Sequence, residues 1–512
     1  MKPTIRRYWT RGKRRIARRL EAAKGGMTAR EGGTEFRSRT RLEVAERIDA
    51  VPCGGLAAVH KLVERLGLAE RIDEALSLLK VHRPYTESNH VLNIAFNLLC
   101  GGRVLEDIEV RRNDVAFLDM LGARMIPDPT TAGDFCRRFD ADAVHALMEA
   151  INEVRVEVWK RQPPSFREQT ALIDADGTLL ETTGECKEGM DISYKGTWGY
   201  HPLLVSLANT REPLFLVNRS GNRPSAEGAA DVLDKAIALC REGGFAQIRL
   251  RGDTDFSMTT HLDRWDDDGV RFVFGYDAVK SLKQRADALD ASHYAELIRH
   301  ADDAFETKKR RAKQPRVKER IVRERKHLNL VLEREDVAEF DYQPTAARRP
   351  YRMVALRKTI LEERGQLCLG TRTRYFFYIT NDRSLSPEQV VAEANGRCAQ
   401  EDLIGQLKHG VHALHAPVNT LESNWAYMVM ASLAWSLKAW FAMMLPIHGR
   451  WRERHESERD RLLFMDFQTF VQHIILIPVQ LVRTARRLVL RVLAWRPSLP
   501  ILFRIVGFLD DS

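Results

Sequence analysis

The spacing of apolar residues changes near Gln169, and this change limits the fold more than any other feature of the chain. Before it the apolar positions follow a helical rhythm. Leu56-Ala-Ala-Val-His-Lys-Leu-Val-Glu-Arg-Leu66 carries them three and four residues apart, and Val91 to Cys100 repeats the pattern before Gly101-Gly102 stops it. After it the rhythm is that of strands. Ala171-Leu-Ile-Asp-Ala-Asp-Gly-Thr-Leu-Leu180, Tyr200 to Leu207 and Leu214 to Asn218 read as three strands. A helix over residues 225–242 follows, then the strand Ile248-Arg-Leu-Arg-Gly-Asp-Thr-Asp-Phe256, a short helix around 258–267 and the strand Val270 to Gly275. Three strands, a helix, a strand, a helix and a strand predict an α/β sheet flanked by helices.

With 512 residues the chain exceeds what one core serves, and two to four domains are expected. A hydrophobic share of 44% beside 29% charged residues describes a globular protein. The net charge of +10 suits a polyanionic partner. Seven cysteines, none in a C-x2-C pair, argue against a zinc site and a disulfide framework and suit a reducing cytoplasm. Met1 to Gly25 is basic with no apolar core, so no secretory signal is expected there. The apolar run Trp425–Pro446 barely reaches the length of a membrane span and is interrupted by Lys438, so it reads as a buried core helix.

These features divide the chain into six expected parts. Residues 1–42 are expected as a basic arm, and 43–165 as a helical N-terminal domain. Residues 166–275 are expected as the first part of the α/β core, and 276–373 as an inserted basic subdomain of β character that contains the charge run Lys308–Lys326. Residues 374–450 complete the core, and 451–512 form a C-terminal helical region. In the second part Asp128 is placed to cap a helix with Pro129 in its first turn, and Thr130, Thr131, Arg137 and Arg138 would decorate it. That helix reads either as a recognition helix or as an ordinary packed one. The basic and aliphatic tail around Arg483, Arg486, Arg487 and Arg491 reads as a dimer-facing helix, a DNA contact or a satellite core.

Three acids carry the chemistry. Asp176 stands in Asp-Gly-Thr at the end of one apolar strand and Asp253 ends another. Taken singly, the first reads as a turn residue and the second as an ordinary strand-end acid. In an open α/β sheet, however, ligands collect at strand ends. Glu401 belongs to Ala394-Asn-Gly-Arg-Cys-Ala-Gln-Glu401, in a helical stretch that continues to Lys408. At roughly 100° per residue, Arg397, Glu401 and Lys408 fall in a sector about 40° wide. Alone this is a charged surface; beside two strand-end aspartates it is a third wall for a site. Three carboxylates without His or Cys suit Mg²⁺ or Mn²⁺, in a pair about 3.5–4 Å apart where phosphodiester transfer is concerned. Arg397 and Lys408 would then hold DNA phosphates. Asp174 shares a strand face with Asp176 and rivals it, or stands behind it; Asp255 competes in the same way with Asp253.

The ordered set of motifs resembles the bacterial insertion-sequence transposases of the DDE (Asp-Asp-Glu) type, in the DDE group 1 family. The resemblance is carried by Asp-Gly-Thr at 176–178, Gly199-Tyr-His-Pro-Leu203, Arg219-Ser-Gly-Asn222, Arg251-Gly-Asp-Thr-Asp-Phe256 and the Arg397/Glu401/Lys408 helix. Upstream, Gly101-Gly-Arg-Val-Leu-Glu-Asp-Ile108 and Pro127-Asp-Pro-Thr-Thr131 add to it, over about residues 50–450. It implies a ribonuclease-H-like mixed sheet flanked by helices as the catalytic core, over residues 166–275 and 374–450, interrupted by a β-rich insertion, with residues 43–165 as an all-α N-terminal DNA-binding domain. It implies Asp176, Asp253 and Glu401 as catalytic metal ligands, for two ions. The activity implied is cut-and-paste DNA transposition, by cleavage at terminal inverted repeats and joining to target DNA within a homodimer. The location implied is cytoplasmic, at the nucleoid when bound to DNA. The alternatives are a DNA-binding repressor on an inactive scaffold and a metal-dependent nuclease without strand transfer. One departure stands out: the Tyr-x2-Arg-x3-Glu-x6-Lys signature has Ala394 where tyrosine is expected. If cleavage passes through a hairpin, Tyr375 is a candidate to hold a flipped base, or simply strand core.

Overall fold

A computed structural model of the chain describes residues 48–297, 317–364, 367–484 and 487–511. The basic arm 1–42 and most of the charge run Lys308–Lys326, up to 316, lie outside the described residues. The described residues form two compact units: one holds those up to Val158, Cys186–Glu188 and those from Gly405, and the other those within Trp159–Glu185 and Gly189–Ile404.

The first unit is built on the helix Leu421–Met443, which is buried from Ser423 onward. Thr420 starts it by accepting from the Ser423 amide, in a capping box. Its one interior charge is satisfied: Lys438 Nζ donates to the Leu463 carbonyl at 2.8 Å and lies 4.0 Å above the Trp435 ring. Among the described residues no helix is long and apolar enough to cross a membrane. The helices Glu87–Leu99 and Pro129–Cys136 pack against this central helix.

The same unit departs from two expectations. The part expected to be all-α contains the strand Asp49–Val51, and the tail expected to be helical contains the strands Val479–Arg483 and Leu488–Val492. The three form one antiparallel sheet. The tail has the period-two alternation of a strand: Val479 and Leu481 are buried, while Gln480 and Val482 are half-exposed. The helices Arg452–Leu463 and Leu499–Asp511 account for the helical character on either side.

The second unit holds a nine-stranded mixed sheet. From edge to edge its strands are Ala295–Glu296, Leu328–Tyr342, Tyr351–Arg364, Leu367–Thr380, Arg271–Tyr276, Ile248–Gly252, Ala171–Gly177, Leu203–Leu207 and Glu212–Val217. Ala171–Gly177, Ile248–Gly252 and Arg271–Tyr276 run parallel to one another, and every other neighbouring pair is antiparallel. In the segment expected as a β-rich insertion the described residues include the helices Lys280–Asp287 and Val317–Glu324 and three long strands that continue this sheet, because Phe377 to Thr380 pair with Tyr276 to Val273. The helix Pro387–Gly396 covers one face, where Val390 and Val391 close over Val273, Val337, Val354 and Leu356.

A small sheet of Leu180–Glu181, Trp198–Tyr200 and Asp191–Ile192 follows the strand that carries Asp176. It needs a glycine at 199, since a Cβ there would stand 1.9 Å from the Leu180 carbonyl oxygen.

Candidate active site

The site lies where two parallel strands end. Asp174 and Asp176 share one face of Ala171–Gly177, as the period of two requires. Their surroundings differ sharply. Asp174 is fully buried and registers against Arg251 on the adjacent strand. The guanidinium grips it at both ends, Nε to Oδ1 at 2.7 Å and Nη2 to Oδ2 at 2.8 Å. Arg251 Nη1 also reaches Glu393 Oε2 at 3.3 Å on the helix Pro387–Gly396. Glu393 in turn takes Arg249 at 3.0 Å, and Arg249 takes Asp382 at 2.8 Å. A chain of paired charges thus runs beneath the strand ends. Burial raises the Asp174 carboxyl pKa against the opposing pull of Arg251.

Asp176 lies two residues further on, only partly screened. Arg397 Nη1 donates to its Oδ2 at 3.1 Å, and Arg397 Nη2 lies 3.9 Å from Asp253 Oδ2. One guanidinium therefore joins the two strand-end aspartates. Asp253 caps the short turn Thr254–Ser257 by accepting from the Asp255 amide at 3.0 Å. Burial pushes the Asp176 carboxyl up to about 6; Arg397 opposes that rise, and the charges of Asp253 and Glu401 add to it. Asp253 is raised as well, by burial first, with Arg397 opposing and Asp255 adding. Glu401 is exposed on the helix Cys398–Gly405 and is near enough to act on the Asp176 carboxyl.

The helix expected to carry Arg397, Glu401 and Lys408 on one face is segmented. Pro387–Gly396 ends at Arg397, Cys398–Gly405 follows, and Gln406–Gly410 is a π turn. A π turn winds fewer degrees per residue than an α-helix, so the 100° reckoning does not extend to Lys408. Lys408 belongs to the first unit. Ala394, where the signature has tyrosine, packs against the Val390 and Val391 hydrophobic cluster.

Several residues of this neighbourhood were not evident as site residues in the sequence. Gln400 Nε2 donates to the carbonyls of Asp174 (3.2 Å) and Leu204 (3.0 Å), which ties the Cys398–Gly405 helix to the sheet. His201 Nδ1 donates to the Arg223 carbonyl at 2.7 Å, and Nε2 stands 2.7 Å from where a Cβ on Gly177 would be. Burial lowers the pKa of this imidazole. Arg219 is spent on structure: Nε donates to the His201 carbonyl and Nη1 to those of Pro224, Ser225 and Glu227. Burial brings its pKa down to about 10. The Tyr-His and Arg-Ser-Gly-Asn motifs thus meet through Arg219 and the His201 carbonyl, next to Gly177, the neighbour of Asp176. Their spacing signalled a motif but not the contact.

The four residues expected on a recognition helix have local surroundings. Thr131 Oγ1 donates to Asp128 at 2.8 Å, Arg137 bonds Asp134 (2.6 Å) and Asn419 (2.8 Å), and Arg138 reaches the Leu78 carbonyl at 3.5 Å. Thr130 is exposed in the first turn. The Tyr375 hydroxyl donates to Asp287 at 2.5 Å, and its ring stacks on Phe377.

Among the described residues no three His, Cys, Asp or Glu side chains are drawn closely enough to hold a metal ion as they stand. The chemistry of the donor set nevertheless fits a hard divalent cation. Asp176, Asp253 and Glu401 offer only oxygen donors, and the charges of the latter two help push the first up to about 6. Positive charge at this point is already supplied by Arg397.

A carboxylate-centred site at the ends of parallel strands is the kind a phosphodiester-transferring enzyme uses. The chain belongs to the transposase DDE domain group 1 family, whose model matches residues 49–510. Among solved structures it is similar to a piggyBac transposase in a cryo-EM synaptic complex with hairpin DNA. That similarity is at 10% identity over 83% of this chain and 84% of that one, with a TM-score of 0.36. No curated protein matches the chain.

Proposed function

We propose that this chain is a DNA transposase that binds the terminal inverted repeats of its element, cleaves there and joins the freed ends to target DNA. The observation that carries the proposal is the meeting of Asp176 and Asp253 on one guanidinium, within the field of Glu401, in a member of a DDE family. Asp176, Asp253 and Glu401 would hold Mg²⁺ or Mn²⁺, two ions in all. When bound, such ions supply Lewis acidity and a nucleophilic water or 3′-hydroxyl. The chain's own residues do the rest. Arg397 and Lys408 take phosphate oxygens of the bound DNA. Asp255 holds Asp253 through its backbone amide, and Asp174 with Arg251 keeps the strand end rigid.

The sheet order supports a ribonuclease-H-like core. Glu212–Val217, Leu203–Leu207, Ala171–Gly177, Ile248–Gly252 and Arg271–Tyr276 are adjacent, with three antiparallel strands followed by two parallel additions. In this reading the β-rich segment within 276–373 elaborates that core, the helical residues before 165 and the basic arm contact duplex DNA, and two copies pair the element ends. The protein acts in the cytoplasm, on the nucleoid.

The test is cleavage of a matched element end with Mg²⁺ by Asp176→Asn, Asp253→Asn and Glu401→Gln. Each should lose cleavage by about 10³-fold or more while keeping end binding. Full cleavage by the triple variant overturns the assignment. A second reading, a repressor on an inactive scaffold, draws on Ala394, whose side chain faces a hydrophobic cluster and offers no hydroxyl to a phosphate. Tight end binding with no metal-dependent cleavage favours it. Cleavage without joining of precleaved ends favours a nuclease.

A further inference from the structure

The Arg397 guanidinium stands between the two carboxylates to which the proposed function gives the metal. Its Nη1 is 3.1 Å from Asp176 Oδ2 and its Nη2 3.9 Å from Asp253 Oδ2. The contact is sheltered, with the side chains of Arg397 and Asp176 each 16% exposed. A guanidinium and a divalent cation seek the same carboxylate oxygens. Placed together at about 4 Å in a screened site, they also repel each other. The neighbouring aspartate does not share this arrangement, because Asp174 has a cation of its own in Arg251.

Arg397 is also placed so that its side chain can change partners. It closes the helix Pro387–Gly396 and precedes Cys398–Gly405, at the junction between the two. A DNA phosphate offers the same two-oxygen geometry as a carboxylate, so a guanidinium displaced from the acids has an equivalent ligand at hand.

We infer that Arg397 is a built-in counter-ion of the metal site: without metal it neutralises Asp176 and Asp253, and metal must displace it to bind. Displacement frees the guanidinium for phosphate, so metal loading and DNA engagement favour each other. The inference rests on the assignment of Asp176 and Asp253 as metal ligands.

The experiment measures Mn²⁺ binding to the full-length, DNA-free protein by the loss of the free-ion electron paramagnetic resonance signal. Arg397→Gln, which removes the charge, should bind Mn²⁺ at least about tenfold more tightly than the unaltered chain. Arg397→Lys, which keeps the charge, should stay close to the unaltered chain. Adding Asp253→Asn to Arg397→Gln should abolish the gain. Thermal unfolding of each variant establishes that it is folded. If Arg397→Gln binds Mn²⁺ no more tightly, while Asp176→Asn still weakens binding, the counter-ion role fails and the metal site stands. If Arg397→Lys gains as much as Arg397→Gln, charge competition is wrong. If no folded variant binds Mn²⁺ at millimolar concentration, the metal assignment fails, and the inference fails with it.

Discussion

Arg251 and Asp174 form a two-bond ion pair, at 2.7 and 2.8 Å, with side chains 4% and 1% exposed. Such a pair costs desolvation to bury and is strongly missed when halved. Arg251→Met leaves the Asp174 carboxylate without its partner and should cost about 3–5 kcal/mol in urea unfolding. The double variant Arg251→Met with Asp174→Leu should recover a good part of that loss. A stability unchanged by Arg251→Met alone contradicts the structure here.

Gly199 has no room for a side chain. Because its Cβ would stand 1.9 Å from the Leu180 oxygen, Gly199→Ala must part the strands Leu180–Glu181 and Trp198–Tyr200. We expect a loss of about 1–3 kcal/mol and faster proteolysis between residues 180 and 200, read by limited digestion.

His90 makes the stability of the first unit pH-dependent. It stacks on Phe135 at 4.3 Å, and burial lowers its pKa to about 4, with Glu87 opposing and Arg138 adding to the fall. A histidine depressed in the folded state is protonated first in the unfolded chain. Its contribution is therefore complete above about pH 6.5 and is lost as the pH falls toward 4. Melting curves across that window should fall less steeply with acidification for His90→Phe than for the unaltered chain. Parallel curves would show that His90 does not titrate in this way.

Lys438 combines an ammonium that meets the Leu463 carbonyl with a stem packed inside the unit's central helix. Lys438→Ala loses both the bond and the volume and should cost about 2–4 kcal/mol. Lys438→Met keeps the volume and should cost about half as much. Chemical denaturation ranks the two, and equal losses would put the ammonium, which both variants lack, in charge instead of the packing.

Much of the site was legible because its signals are local. The period of two places Asp174 and Asp176 on one strand face, and the Gly-Asp step after Leu250 marks the second strand end. The segment from Pro387 is plainly helical, with Ser386 capping it. The alternation of Val479 and Leu481 with their neighbours is one of burial and not of residue type, since Val482 is apolar, and basic residues scattered through the tail favoured a helical reading. What could not be read is pairing at long range. Asp49–Val51 pairs with Val479–Leu481, and Glu393 bridges Arg249 and Arg251.

The sequence by itself pointed to the family and marked the three acids proposed as metal ligands, since short apolar strands ending in carboxylates and a helix with Glu401 are written in residue order and local period. Only the tertiary structure decided the company each acid keeps. Asp174 and Asp176 look alike in sequence. One is sealed against Arg251 within the sheet, and the other meets Arg397 from a helix junction 221 residues away. The reason is physical: a charge's partner and solvation depend on which distant segments pack beside it, and no local period encodes that.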